Sequence, residues 1–376
     1  MKLLALLTAI ISPVCFAEFK ISPTLHLITT TTQSSSPEPS SIAYHSHDPN
    51  NSLNLQALEL NLNATYNEWL SGMVTSNSFT TAQSGLESEL EEAFIKLELL
   101  YGDFELRAGR YLNRFGLQNH LHLHSWSFVN ANLSTPAFLG PEGLITEGAE
   151  LSWIKQTDRT VFSLSTSFGT VLNAHDHSEE ENHDDLGQEE HEASEEVFFS
   201  EHVTSIRAQL IFNHDDFHQH RFGFNGAWGG NGFGRSSSVF SSDYTYQWRE
   251  QGLEPGGRAF STGLEFFYRE AEWITQDFGL FGKNAQISFM VFGNYQFSDE
   301  WSADFRWERL QGDEPIEGLV LANDQQRTSV ALTRALNLPN TTHSFTRVQY
   351  RHDSLGSRTD DTIWFQFGLS LGPNRP

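Results

Sequence analysis

From Phe289 to Phe297 the chain reads Phe-Met-Val-Phe-Gly-Asn-Tyr-Gln-Phe, and its odd positions make an apolar face tipped with aromatics. After Ser298-Asp299-Glu300, the residues Trp301, Ala303, Phe305 and Trp307 continue that face, while Ser302, Asp304, Arg306 and Glu308 take the other phase. Successive side chains of a strand point to opposite faces, so this is a hairpin with one apolar and one wet face. Ile363, Phe365, Phe367, Leu369 and Leu371 repeat the pattern against Trp364, Gln366, Gly368 and Ser370. Strands that need lipid on one side and water on the other find both in a closed transmembrane barrel.

Composition agrees with export to such a membrane. Met1 to Ala17 carries one basic residue, Lys2, then an apolar run from Leu3 to Val14 and the small residues Cys15 and Ala17. That is a secretory signal peptide, too short to span a bilayer as a helix, and it leaves 18–376 as the expected mature protein. Beyond it no run approaches the roughly 20 apolar residues of a membrane helix, yet 13% of the chain is aromatic. Together these features predict an all-β, antiparallel transmembrane barrel in the outer membrane of a Gram-negative bacterium, with outer-membrane lipid as a partner. Cleavage removes the single cysteine, Cys15, and with it any disulfide or thiolate metal site. Losing Lys2 lowers Lys+Arg from 23 to 22 against 48 acids, a net charge of −26 that disfavours nucleic acid as a partner. The sequence lacks the serine-elbow, paired-histidine and phosphate-loop motifs, so no enzyme is expected.

Segments with period two number about sixteen: 18–28, 53–64, 69–79, 90–100, 103–112, 147–156, 160–172, 198–213, 220–230, 239–250, 260–273, 285–297, 301–311, 325–337, 343–352 and 361–371. Around Ala57 and Leu58 the apolar phase flips, which calls for a bulge. Short connections follow strands 2, 4, 6, 8, 12 and 14, whereas the longer ones mostly follow odd strands, the asymmetry of an outer-membrane barrel. An even strand count then puts both termini in the periplasm and 173–197 outside the cell. Glu59, Glu105, Arg107, Glu150, Arg306, Glu308, Arg347 and Arg351 carry the wet phase and are candidate lumen residues.

Two long connections hold the candidate chemistry. From Asn173 to His202, His175, His177, His183, His191 and His202 lie among twelve carboxylates, Asp176 and Asp184 included, with no Lys or Arg. Such a stretch buries too little apolar surface to offset the entropy of ordering, and it reads as a solvated loop. Imidazole beside carboxylate suits Zn²⁺ or another divalent metal, here a captured or transported ion and not a tightly bound cofactor. The alternative is a charge run that only keeps a surface loop extended. The connection from Asn113 to Thr146 contains His120-Leu121-His122-Leu123-His124, which in an extended chain places three imidazoles on one side. As the longest connection it is expected to enter the lumen, with those imidazoles at a constriction or packed on the wall.

The run Glu91-Glu92-Ala93-Phe94, Gly102 to Tyr111, Phe115-Gly116 and Gln118-Asn119 resembles the strand 4 to strand 5 hairpin of phosphate-selective-type porins. His122 to Val129, Phe138-Leu139-Gly140-Pro141-Glu142-Gly143-Leu144 and Gly148 to Trp153 are similar to a porin-like family labelled zinc-regulated, in some cases TonB-dependent, outer-membrane receptors. The likeness is strongest over 87–154 and implies divalent-metal acquisition. A plug domain with some twenty-two strands does not fit in this chain, so no plug is expected. The expected protein is thus a porin-like channel easing divalent metal, above all zinc, inward after capture by 173–197, with a homo-trimer as a possible assembly. The alternatives are a cation-preferring general porin without a metal role and a surface metal receptor with a closed barrel.

Overall fold

The computed structural model describes residues 19–35, 45–49, 52–67, 69–81, 85–99, 103–171, 198–274, 281–316, 319–338, 341–356 and 358–372. Sixteen strands pair antiparallel with their sequence neighbours, and the first closes on the last. They are β1 (Phe19–Ser34), β2 (Leu53–Tyr66), β3 (Leu70–Thr81), β4 (Gly85–Leu99), β5 (Phe104–Leu112), β6 (Ile145–Gln156), β7 (Thr160–Val171) and β8 (Phe199–Asn213). The second half comprises β9 (His218–Asn231), β10 (Ser236–Arg249), β11 (Ala259–Ile274), β12 (Phe281–Gln296), β13 (Trp301–Ile316), β14 (Leu319–Ala335), β15 (His343–Leu355) and β16 (Arg358–Leu371). Every expected strand is present. Several run further than the alternation indicated: β1 continues to Ser34, β4 starts at Gly85 and β14 at Leu319. In β1 the outward residues there are Thr31 and Gln33, so the ladder continues after the apolar signal has ended.

The period-two pattern sorts the wall as expected. Leu58, Leu60, Leu62, Phe222, Phe224, Ile363 and Phe365 are exposed on the outer face, and Trp69, Trp153, Phe212, Tyr295 and Phe297 lie towards the end with short turns. The opposite phase is polar and buried: Glu59, Arg107, Glu150, Arg306, Glu308, Arg347 and Arg351 all point into the barrel. A polar interior inside an apolar belt is the arrangement a bilayer selects.

Three register shifts interrupt this order among the described residues, one of them between Phe199 and Val203 of β8. Ile28 pairs with Ala57 and Thr29 with Leu55, leaving Gln56 as the extra residue, one position from the expected phase flip. In β4, Thr75 faces Glu92 and Ser76 faces Leu90, so Glu91 is the extra residue. A bulge turns two consecutive side chains to one face, and Glu91 and Glu92 are accordingly both buried. Residues 1–18 and 172–197, which hold the predicted signal peptide and nearly all of the acidic loop, lie outside the described residues.

Candidate functional site

The connection between β5 and β6 crosses the barrel interior. Its stem is tied by Asn119, whose Nδ2 donates to Asn113 O (2.8 Å) and Leu144 O (3.1 Å) while its Oδ1 accepts the Leu144 N–H (2.7 Å). Gly143 has φ +73°, and a Cβ there would stand 2.4 Å from that Asn119 oxygen, so only glycine fits. Gly116 meets the same limit, since its Cβ would lie 2.6 Å from Glu265 Oε1, the oxygen that accepts the Leu117 N–H.

Beyond the stem, polar side chains of β11, β13 and β15 hold the backbone. Arg347 donates to Trp126 O (2.9 Å), Gln349 accepts the Val129 N–H (2.6 Å), and Arg306 donates to Ala131 O (3.1 Å). Glu308 accepts the Leu133 N–H at 2.6 Å, and Arg269 donates to Ala137 O at 2.9 Å. The short helix α1 (Ser134–Leu139) follows, entirely buried. Its Phe138 packs with Phe115, Leu133 and Leu144 on Phe199, Val203, Phe267 and Leu310 of the wall. Apolar packing therefore fills part of the lumen and fixes the histidine-bearing stretch.

That stretch is not extended. A 3₁₀ turn at Leu123–Ser125 replaces the expected strand geometry, because Trp126 donates from Nε1 to Leu121 O and closes the segment on itself. The turn still brings two of the three imidazoles together, with His122 and His124 parallel at 5.8 Å between centroids. His122 lies between the bulged carboxylates: Nδ1 is 2.8 Å from Glu91 Oε2 and Nε2 is 2.8 Å from Glu92 Oε2. Each ring nitrogen of His122 faces a carboxylate oxygen, an arrangement that favours a proton on both. Burial alone would lower its pKa, but the hydrogen bonds to Glu91 and Glu92 and the charge of Glu59 hold it well above the usual value. His124 Nδ1 hydrogen-bonds Glu59 Oε2 at 3.0 Å and stacks at 3.7 Å on His26 of β1. His120 shares the adjoining cavity of about 560 Å³ with these residues, but the turn leaves it exposed and outside their ligand sets.

Among the described residues, potential ligand atoms converge within 4.8 Å of one another in three sets: His26–Glu59–His124, Glu59–Glu91–His122 and His47–Glu89–Glu91. Glu59 is 1% exposed, and its Oε1 has no partner. A buried carboxylate oxygen left unpaired is unfavourable unless a cation or water reaches it. In the third set, His47 Nε2 is 2.9 Å from Glu89 Oε1 and 4.0 Å from Glu142 Oε2. Burial opposes its charge, yet the hydrogen bond to Glu89 and the charges of Glu89, Glu142 and Glu91 raise its pKa to about 9. One imidazole and two carboxylates in each of the last two sets, and two imidazoles and one carboxylate in the first, form donor groups for borderline divalent metals.

The remaining sequence candidates fall elsewhere. His202 is exposed on β8, 5.7 Å from the ring of Phe168, and belongs to none of the three sets. His175, Asp176, His177, His183, Asp184 and His191 lie outside the described residues. His26, His47, Glu89, Glu91 and Glu92 were not singled out as ligands from sequence. The signal for the bulge was present all the same, since Leu86 and Leu90 share one phase and Ala93, Ile95 and Leu97 the other, with two glutamates at the break.

No family model matches the chain. Over 67 residues it is 37% identical to an uncharacterized protein of Aquifex aeolicus (strain VF5), an alignment covering 18% of this chain and 14% of that protein. Solved structures match over nearly the whole length. A loop-deletion mutant of OmpT, an outer membrane protein of Vibrio cholerae, aligns with TM-score 0.57 at 8% identity, covering 94% of this chain and 99% of that one. The outer membrane channel DcaP of Acinetobacter baumannii aligns with TM-score 0.56 at 8% identity, covering 96% and 99%. The trimer form of Vibrio cholerae OmpT aligns with TM-score 0.51 at 8% identity, covering 94% and 99%. These likenesses show the fold, a porin-like barrel of the outer-membrane kind.

Proposed function

We propose that the chain is an outer-membrane channel of the porin kind that admits divalent metal cations, zinc foremost, through a luminal site built from His26, Glu59, Glu91, His122 and His124. The observation that carries this reading is the pair of ligand sets sharing Glu59, together with the buried, unpartnered Glu59 Oε1. The similarity of residues 87–154 to the zinc-regulated receptor family supports the choice of metal. The acid- and histidine-rich stretch 173–197 acts as the collector: negative charge at a channel mouth raises the local cation concentration, and weak capture permits release inward. A transport role of this type requires no catalysis. Trimerisation belongs to the same reading, since one structural neighbour is described as a trimer form.

A second reading, a metal receptor with a closed barrel, draws on the apolar packing of α1 inside the lumen. Recordings from purified protein in planar bilayers separate the two. The channel reading expects potassium current that micromolar Zn²⁺ alters and millimolar Mg²⁺ does not, with the zinc effect lost in His122→Gln/His124→Gln. Current that ignores zinc would refute the metal role, and zinc binding without any current would favour the closed receptor.

A further inference from the structure

The ligand set nearest the end with long connections adds His47 and Glu89 to Glu91, and neither of those two belongs to the luminal site described above. His47 comes from the segment between β1 and β2 and inserts beside β4, where it contacts Glu89 and faces Glu142. Asn77 of β3 lies against it: its amide nitrogen donates to Glu91 Oε1 at 2.9 Å and is 3.3 Å from His47 Nδ1. Asn77 is fully buried, and its Oδ1 has no partner. A hard oxygen acceptor left over beside three carboxylates and an imidazole marks a place where a cation would be stabilised.

The two regions meet at one residue. Glu91 presents Oε1 to Asn77 on the His47 side and Oε2 to His122 on the other, 2.8 Å away. It is also the bulge residue of β4, and the bulge is what lets it share the inner face with Glu92. Glu91 belongs to both the His47–Glu89 set and the Glu59–His122 set. A carboxylate can bind one ion through each oxygen or exchange a single ion between them without releasing it to bulk water.

We infer that His47, Glu89, Glu91 and Glu142, with Asn77 beside them, form a second divalent-cation station on the outer side of the His122 site, and that Glu91 hands the ion from one station to the other. The inference rests on the channel reading. Arriving metal takes the position facing His47 Nε2 as that imidazole gives up its proton to solvent, and the ion then shifts from Glu91 Oε1 to Oε2 as His122 releases the proton it shares with that oxygen. Stations in series that each bind weakly let an ion enter and leave quickly, which a single tight site does not. One nitrogen with several carboxylate oxygens suits first-row divalent ions such as Zn²⁺ and Mn²⁺ over Cu⁺, which prefers sulfur ligands.

Crystals of the full chain soaked in Zn²⁺ and measured at the zinc absorption edge test the proposal directly. Two anomalous peaks are expected, one within roughly 2.0–2.2 Å of His47 Nε2 and a Glu89 oxygen and one at comparable distances from His122 or His124 and Glu59. In His47→Gln/Glu89→Gln the first peak vanishes and the second remains. Zinc flux into proteoliposomes, taken relative to potassium, falls about tenfold, the order seen when groups that hold a metal ligand are lost. Glu91→Gln lowers the same ratio comparably, and Glu91→Asp recovers part of it. A peak at the His122 site alone overturns the second station and leaves the channel reading intact, whereas no peak at either site overturns both. Two peaks with wild-type zinc flux in Glu91→Gln overturn the hand-over.

Discussion

Seating of the crossing segment depends most on Arg306. Its guanidinium donates to Ala131 O at 3.1 Å and to Asn130 O at 3.3 Å, lies 4.4 Å from the centre of the Phe128 ring, and forms an ion pair with Glu308 at 2.8 Å. Replacing it with Met keeps most of the aliphatic stem and removes the charge. Glu308, fully buried, then keeps the Leu133 N–H as its hydrogen-bond donor. Removing one partner of a buried ion pair costs about 3–5 kcal/mol. Arg327 stands opposite Glu308 in the β13–β14 register and is itself buried, so a second cation remains beside the carboxylate and the lower end of that range applies. The backbone ladders of β13 with β12 and β14 do not involve this side chain. The loss therefore falls on the crossing segment and not on the barrel. At about 1.4 kcal/mol per tenfold, the balance between seated and displaced segment moves by roughly two powers of ten. Single-channel records of Arg306→Met should show bursts of higher conductance that wild type lacks. Arg306→Met/Glu308→Leu removes the orphaned charge as well, and it should be quieter than the single variant because a packed apolar pair replaces a broken ionic one. Wild-type current in Arg306→Met, or a double variant noisier than the single one, would refute the clamp.

Other perturbations address separate parts of the account. His120→Gln should leave the zinc response unchanged, while His122→Gln and His124→Gln each weaken it, read as the zinc concentration that half-modifies the potassium current. Neutralising the acids between Asp176 and Glu196 should reduce cation over anion selectivity at low salt and have less effect near 1 M, where the Debye length is about 3 Å; reversal potentials at the two salt concentrations report it. Free imidazole titrates near pH ~6.5 and binds metal only when neutral. Zinc affinity of a peptide spanning 173–202, measured by calorimetry, should therefore fall between pH 7.5 and 5.5, and equal affinity at both would leave carboxylate binding alone.

The barrel was legible because its alternation is dictated separately by every strand: Phe289 to Trp307 and Ile363 to Leu371 each require one lipid face whatever the rest of the chain does. The strand ends beyond the apolar belt were not legible, since Thr31 and Gln33 carry no lipid signal although their backbone ladder continues. The entry of the Asn113–Thr146 connection into the lumen followed from its length. Its local shape did not, because the 3₁₀ turn depends on the Trp126 bond to Leu121 and on anchors from β13 and β15, hundreds of positions apart in pairing terms but adjacent in space. The ligand sets join His26, Glu59, Glu91 and His122, drawn from three strands and a connection, and period two places such residues inward without saying which of them face each other. Glu91 was the most readable of the missed residues, since consecutive glutamates at a phase break are what a bulge into a polar lumen produces.

Zinc permeation through the purified barrel is the most direct test of the central claim. Proteoliposomes loaded with a zinc-sensitive dye and given an inward zinc gradient should brighten at a rate that depends on the channel. That rate should fall in Glu59→Gln/His124→Gln to near the level of protein-free vesicles, while potassium conductance persists. Dye brightening in the double variant at the wild-type rate, or none in wild type despite robust potassium current, would contradict a metal-conducting site at Glu59, His122 and His124.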